Sequence, residues 1–122
     1  MPQFQEMDEQ VTLHDQMAQD VGPVTLINTF TIAPGELDKA LEAWAADAAF
    51  MKRQPGFIST QLHRGIGGSS VLVNVAVWES VDAFRRAFAN PEFQARLGEY
   101  PPSTVASPHL FTKQAVPGIC VA

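Results

Sequence analysis

The chain has little that could fix it covalently or mark it for a charged partner. One of its 122 residues is a cysteine, Cys120, near the C-terminus, so no internal disulfide framework can form. Lys and Arg number eight against thirteen Asp and Glu, giving a net charge of −5. Nowhere do the bases gather into the patch that nucleic acid or an anionic membrane requires. No run approaches the roughly 20 apolar residues of a membrane span. The N-terminus also lacks a basic region followed by an apolar run, so a cytoplasmic location is expected. There is no dinucleotide-binding fingerprint and no spacing of Cys, His or carboxylates that suggests a metal site. What remains, at 46% hydrophobic and 17% charged, is the composition of one globular domain with a real core.

Charge divides the chain. Glu6, Asp8, Glu9, Asp15 and Asp20 stand in residues 1–22 with no Lys or Arg, and the eight later acids balance eight bases. Residues 1–22 read as an acidic arm that is either draped on the body by Val11, Leu13 and Met17 or free as a tail. Residues 23–122 form the domain proper. Its centre is the run from Val71 to Trp78, in which only Asn74 is polar. Branched valines suit a pleated surface, so a buried strand is expected. Alternation then puts Val71, Val73, Val75 and Val77 on one face and Leu72, Asn74, Ala76 and Trp78 on the other. A buried amide is costly unless hydrogen-bonded, so Asn74 must meet protein or ligand.

The other elements follow from punctuation and period. Residues 24–32 alternate, with Leu26, Asn28, Phe30 and Ile32 on one face. After Ala33-Pro34-Gly35, Leu37, Ala40, Leu41, Trp44, Ala48 and Met51 recur at helical steps, with Asp38, Lys39, Glu42 and Asp47 assigned to the other side. Gln54-Pro55-Gly56 ends that helix. Residues 57–64 form a strand with Phe57, Ser59, Gln61 and His63 on one face. The glycine-rich 65–70 segment joins strand to strand, so it is a hairpin turn and not a phosphate loop. Ser80 caps a helix carrying Val81, Phe84 and Phe88, and Asn90-Pro91-Glu92 starts another with Phe93 and Leu97. Residues 102–108 read as a loop and 109–116 as the last strand. The order β-α-β-β-α-(α)-β is the split βαβ arrangement of an α+β domain: a four-stranded antiparallel sheet with helices on one face. The valine face then lacks cover, and a second copy of the same sheet would supply it as a homodimer.

Taken together, Gln54-Pro55-Gly56-Phe57-Ile58, the central run into Trp78-Glu79-Ser80, Ala83-Phe84 and Asn90-Pro91-Glu92-Phe93 resemble the antibiotic-biosynthesis monooxygenases, a family of dimeric α/β barrels with a ferredoxin-like fold. The resemblance runs from about residue 24 to 116. Within the family the chain is most similar to small cofactor-free enzymes that oxidise anthrones to anthraquinones. It implies catalytic roles for His63, Asn74 and Trp78. The family's tyrosine position reads Phe84, and its arginine position falls near Leu97, with Arg96 adjacent. A heme-degrading branch shares Asn28 but places an aromatic and a heme-ligating histidine where this chain has Ala87 and Leu97, and no predicted helix carries a histidine.

If Asn74 and Trp78 face the helices and His63 faces with them, the cleft holds a base, an amide and an indole N–H. Its substrate-binding walls would be Phe57, Phe84, Phe88 and Leu97, with Asn28 and Arg96 at hand. Oxygen is a triplet and reacts slowly with closed-shell molecules unless they can donate one electron. A deprotonated anthrone or hydroquinone can. Histidine, with an ordinary pKa near 6.5, is the expected base, and Asn74 with Trp78 would stabilise the developing oxyanion. The substrate supplies the electrons, so no flavin, metal or heme is expected. The expected partners are a small aromatic substrate, molecular oxygen and a second copy of the chain. Two other readings use the same pocket, a non-catalytic ligand-binding or stress-associated barrel and an isomerase or cyclase.

Overall fold

The computed structural model describes residues 2–122. Five strands form one sheet, β1 (Gln3–Phe4), β2 (Val24–Thr31), β3 (Phe57–Arg64), β4 (Val71–Trp78) and β5 (Val105–Phe111), in the spatial order β1-β5-β2-β4-β3. The four long strands pair antiparallel, which is the expected split βαβ sheet. β1 adds a fifth, parallel strand on the edge of β5. Four antiparallel strands therefore become a mixed sheet of five. The helices are α1 (Leu13–Met17), α2 (Leu37–Met51), α3 (Val81–Phe88) and α4 (Pro91–Arg96), followed by a 3₁₀ turn at Leu97–Glu99.

Local chemistry sets most boundaries. Ser80 Oγ accepts from the Ala83 N–H at 3.1 Å and Asn90 Oδ1 from the Glu92 N–H at 2.9 Å, so both capping residues do what their positions imply. Gly56 sits at φ +85°, and a Cβ there would lie 2.4 Å from that of Ala83, so the turn into β3 can pass under α3 only without a side chain. The 65–70 segment is a hairpin turn with Gly67 and Gly68 both at positive φ, joining β3 to β4.

Two expectations about strands fail. The last strand begins at Val105 and ends at Phe111, so residues 105–108, expected in a loop, belong to β5. Pro108 misled because it donates no ladder hydrogen bond. It lies opposite Asn28 of β2, past the two residues that β1 pairs, on what is there an edge. The second failure is a β-bulge. Phe57 opposes Trp78 but Ser59 opposes Val77, so Ile58 is an extra residue and the alternation of β3 inverts beyond it. Thr60 and Leu62 therefore join Phe57 on the helix side, while Ser59, Gln61 and His63 go to the outer face. His63 opposes Val73 there and is exposed.

The arm is bound to the body. Gln3 and Gln5 donate to Thr104 and Ala106 carbonyls at 2.8 and 2.9 Å, extending the sheet. The Gln16 amide both donates to and accepts from the Leu110 backbone, at 2.8 and 2.9 Å. Leu13 is buried and Met17 packs beside it, whereas Val11 is 45% exposed and anchors nothing. α1 also puts His14 on a helix, where no histidine was expected, on its exposed side.

The core is two clusters on one face of the sheet. One gathers Phe30, Ile32 and Leu72 with Ala40, Ala43 and Phe50 of α2 and with Phe93, Leu97 and Tyr100. The other gathers Leu26, Ala76 and Trp78 with Val81, Phe84 and Ala87 of α3 and Leu13 of α1. Between them lies a cavity.

Candidate active site

Strand register builds the cavity floor. Asn28 of β2 stands directly opposite Asn74 of β4, so their side chains lie ~4.5–5.5 Å apart on the helix-facing side. Phe30 and Leu72 flank this amide pair toward one cluster, Leu26 and Ala76 toward the other. Two asparagines, with Thr60 of β3 on the same side, thus interrupt an otherwise apolar inner face at the point where its two cores part. Trp78 lies four residues beyond Asn74 on the same face and is 1% exposed. The walls are aromatic. Trp78 meets Phe57 and Phe84 edge-on at centroid distances of 5.4 and 5.9 Å, and Phe88 continues the series to Phe93. The lining residues border about 720 Å³ of empty space that opens to solvent, and Pro2 and Phe4 of the arm are among them.

Polar atoms in this space are sparse and mostly unmet. Thr60 Oγ1 donates to Asn74 Oδ1 at 2.5 Å, which occupies the carbonyl and leaves two amide N–H donors as the side chain's remaining polar groups. Asn28 Oδ1, Asp47 Oδ1 and Trp78 Nε1 are buried without a hydrogen-bond partner. An unpaired buried atom costs about 1–3 kcal/mol, and these three are the groups that a molecule entering the cavity would meet.

Asp47 was assigned to the outer side of α2, yet it is 5% exposed and lines the cavity. The buried face of α2 is Ala40, Ala43, Asp47 and Phe50, steps of three, four and three. The period contained the signal, and only the residue's charge argued against it. Burial pushes the Asp47 carboxyl up to about 6, with Glu99 adding to the rise. A hydrogen bond from the Tyr100 hydroxyl and the charge of Arg96 pull it back. Tyr100, stacked on Phe30 at 6.0 Å, is itself driven above the ordinary phenol range by burial and by Asp47. Neither Tyr100 nor Thr60 was singled out as a site residue.

The other expected site residues divide. Asn28, Phe57, Asn74, Trp78, Phe84, Phe88 and Leu97 line one cavity. His63 does not, because the bulge in β3 sends it to the opposite face of the sheet. Arg96 is half-buried behind the wall, with its guanidinium 3.5 Å from Glu92, and is not part of the lining. Among the described residues no group of three or more His, Cys, Asp or Glu is arranged to hold a metal ion, and no helix is long and apolar enough to cross a membrane.

Residues 23–96, which carry the amide pair, Asp47 and Trp78, match the model of the family described as antibiotic biosynthesis monooxygenase. The chain belongs to that family. Deoxynogalonate monooxygenase of Streptomyces nogalater is 43% identical over 76 residues, 61% of this chain; the match spans 62% of that protein's length. Among solved structures, SnoaB of Streptomyces nogalater, described as a cofactor-independent oxygenase, superposes with a TM-score of 0.72 at 35% identity, covering 80% of this chain and 99% of SnoaB. A putative monooxygenase of Shewanella loihica PV-4 gives 0.67 at 36% identity, covering 81% of this chain and all of that one. The family match covers β2 to α4 and leaves out the arm and β5.

Proposed function

We propose that this protein is a cofactor-independent monooxygenase that oxidises a small aromatic substrate of the anthrone or hydroquinone type to a quinone with molecular oxygen. The observation that carries the reading is the amide pair Asn28/Asn74 with the unpartnered Trp78 N–H, set in an aromatic cavity of a chain from this family. The likeness to SnoaB and to deoxynogalonate monooxygenase supports the reaction class.

Phe57, Phe84, Phe88 and Leu97 bind a planar ring system by dispersion and edge contacts. The Asn74 amide and Trp78 Nε1–H donate to the substrate oxygen, and Asn28 Oδ1 accepts a substrate hydroxyl. Loss of a phenolic or benzylic proton makes the substrate an electron donor. Fixed donors favour the resulting enolate, because a dry site keeps their dipoles oriented where charge develops. One electron passes to oxygen, and the substrate radical and superoxide combine to a peroxide. For a CH₂ centre, loss of water from the hydroperoxide leaves C=O, so one oxygen atom enters product and the other leaves as water. The substrate supplies the electrons throughout.

Assembly belongs to the same proposal. The outer face presents Val73, Val75 and Val77 beside Thr25, Ile27 and Thr29, all only half-buried in the single chain. A second copy covering it gives a homodimer whose two cavities lie on opposite outer sides.

The test is aerobic against anaerobic incubation with a panel of anthrones and hydroquinones, following oxygen uptake and quinone absorbance. Stoichiometric, protein-dependent uptake with quinone formation is the expected result. Binding or isomerisation of the same compounds without oxygen uptake would favour a ligand-binding barrel or an isomerase and end the oxygenase reading.

A further inference from the structure

The proposed chemistry begins with removal of a substrate proton, and the sheet supplies no base for it inside the cavity. Of the residues lining it, the two that titrate are Asp47 and Tyr100. Tyr100, held above the usual phenol range, stays protonated and serves as a donor. Asp47 carries an oxygen that is buried, unpartnered and part of the lining. We propose that Asp47 is the catalytic base that takes the substrate's proton, and that Tyr100 is the positioning residue that holds its carboxylate.

This assignment rests on the monooxygenase reading and completes it. Asp47 comes from the helix layer and the Asn28/Asn74 pair from the sheet, so a substrate between the layers presents its proton to one wall and its oxygen to the other. The C–H bond breaks, its electron pair stays on the substrate as the enolate, and the proton forms an O–H bond on Asp47 Oδ1. After the peroxide forms, Asp47 returns that proton to it. Asp47 then removes the second proton from the same carbon as the O–O bond breaks, and passes it to the departing hydroxide, which leaves as water. The sum is CH₂ + O₂ → C=O + H₂O, and Asp47 ends as it began.

Burial that raises the carboxyl to about 6 makes Asp47 a stronger base than a solvated carboxylate while leaving it mostly ionised at neutral pH. The charged and titratable groups around it are Tyr100, Glu99 and Arg96, and the sheet side of the cavity contributes only amides, an indole and a hydroxyl. The substrate it implies is a planar aromatic ketone with an acidic hydrogen on the side facing α2 and an oxygen on the side facing β4.

The experiment is the rate–pH profile of oxygen uptake with 1,8-dihydroxyanthrone as probe, for the parent enzyme and for Asp47→Asn, Tyr100→Phe, Asn74→Ala and His63→Ala. The parent rate should fall with acid about a midpoint near 6. Asp47→Asn should lose roughly a hundred-fold or more at pH 7 and also lose the acid limb, its residual rate climbing at high pH as the probe ionises unaided. Tyr100→Phe should move the acid limb upward, because the hydrogen bond that lowers the Asp47 pKa is gone. His63→Ala should leave rate and midpoint unchanged. A parent profile flat from pH 5 to 8, or an acid limb that survives Asp47→Asn or disappears with His63→Ala, overturns the assignment. Should Asp47→Asn fail to fold, the parent, Tyr100→Phe and His63→Ala profiles still decide it. Loss of turnover in Asn74→Ala beside parent-like Asp47→Asn would discard the base and keep the monooxygenase. No oxygen uptake by the parent would discard both.

Discussion

The two faces of β4 are made by the same eight residues and do opposite things. Outward, Val73, Val75 and Val77 offer uninterrupted hydrocarbon beside Ile27 and the threonines of β2. Inward, Leu72, Asn74, Ala76 and Trp78 hold polar atoms amid apolar packing. A surface that only has to be covered can be uniform, because apolar burial has no direction. A surface that must bind and orient a molecule keeps groups unsatisfied until that molecule arrives. On the proposed reading the inner face gives up stability for chemistry, and the outer face holds apolar area for a second copy to cover.

Substitution on the inner face should break that contrast most sharply. Asn74→Ala and Trp78→Phe should each lower turnover by a hundred-fold or more, about 2.7–4 kcal/mol of barrier for one fixed donor. Melting temperature should change little, since phenylalanine keeps most of the indole's packing. If Trp78→Phe instead lowers stability by a cavity term and leaves the rate alone, the inner face is core and not site.

Asp47 gives the next largest effect, and it bears on stability. Its carboxyl sits near 6 in the folded chain against an ordinary 3.8, so the folded state binds the proton more tightly than the unfolded one. Ionised Asp47 is therefore destabilising above about pH 6, by about 3 kcal/mol, and the penalty is relieved as pH falls from 6 toward 4. Asp47→Asn should raise the denaturant midpoint at pH 8 and leave it nearly unchanged at pH 4. An equal shift at both pH values would mean that burial does not strain this carboxylate.

On the outer face, Val75→Asp should weaken dimerisation by roughly thirty-fold, about 2 kcal/mol, by placing an unpaired charge in the proposed interface. Sedimentation at micromolar concentration measures it. A parent protein that sediments as a monomer there would remove the outer face's assigned role. The smallest effect belongs to Thr60→Val, which deletes the 2.5 Å hydrogen bond to Asn74. About 1 kcal/mol, or a five-fold loss in kcat/KM, is expected as the amide becomes free to turn. A loss as large as that of Asn74→Ala would make Thr60 indispensable to the site.

Sequence alone determined the elements and their order. Valine's branching, the Ser80 and Asn90 caps and the glycine and proline turns act within a few residues, so β2, α2, β3, β4, α3 and α4 were all legible, as was the face shared by Asn74 and Trp78. Tertiary structure decided what depends on partners distant in the chain. Nothing in 57–64 announces the bulge at Ile58; it exists because the strand is matched to Trp78 and Val77 across the ladder, and it alone removes His63 from the cavity. The edge position that tolerates Pro108 exists only once β1 and β2 flank β5. Asp47 lay on the buried period of α2 all along. Its burial becomes tolerable only when Tyr100, fifty-three residues later, comes to its side. Periodicity specifies which way a side chain points, but whether a carboxylate can stay there depends on the groups that folding gathers around it.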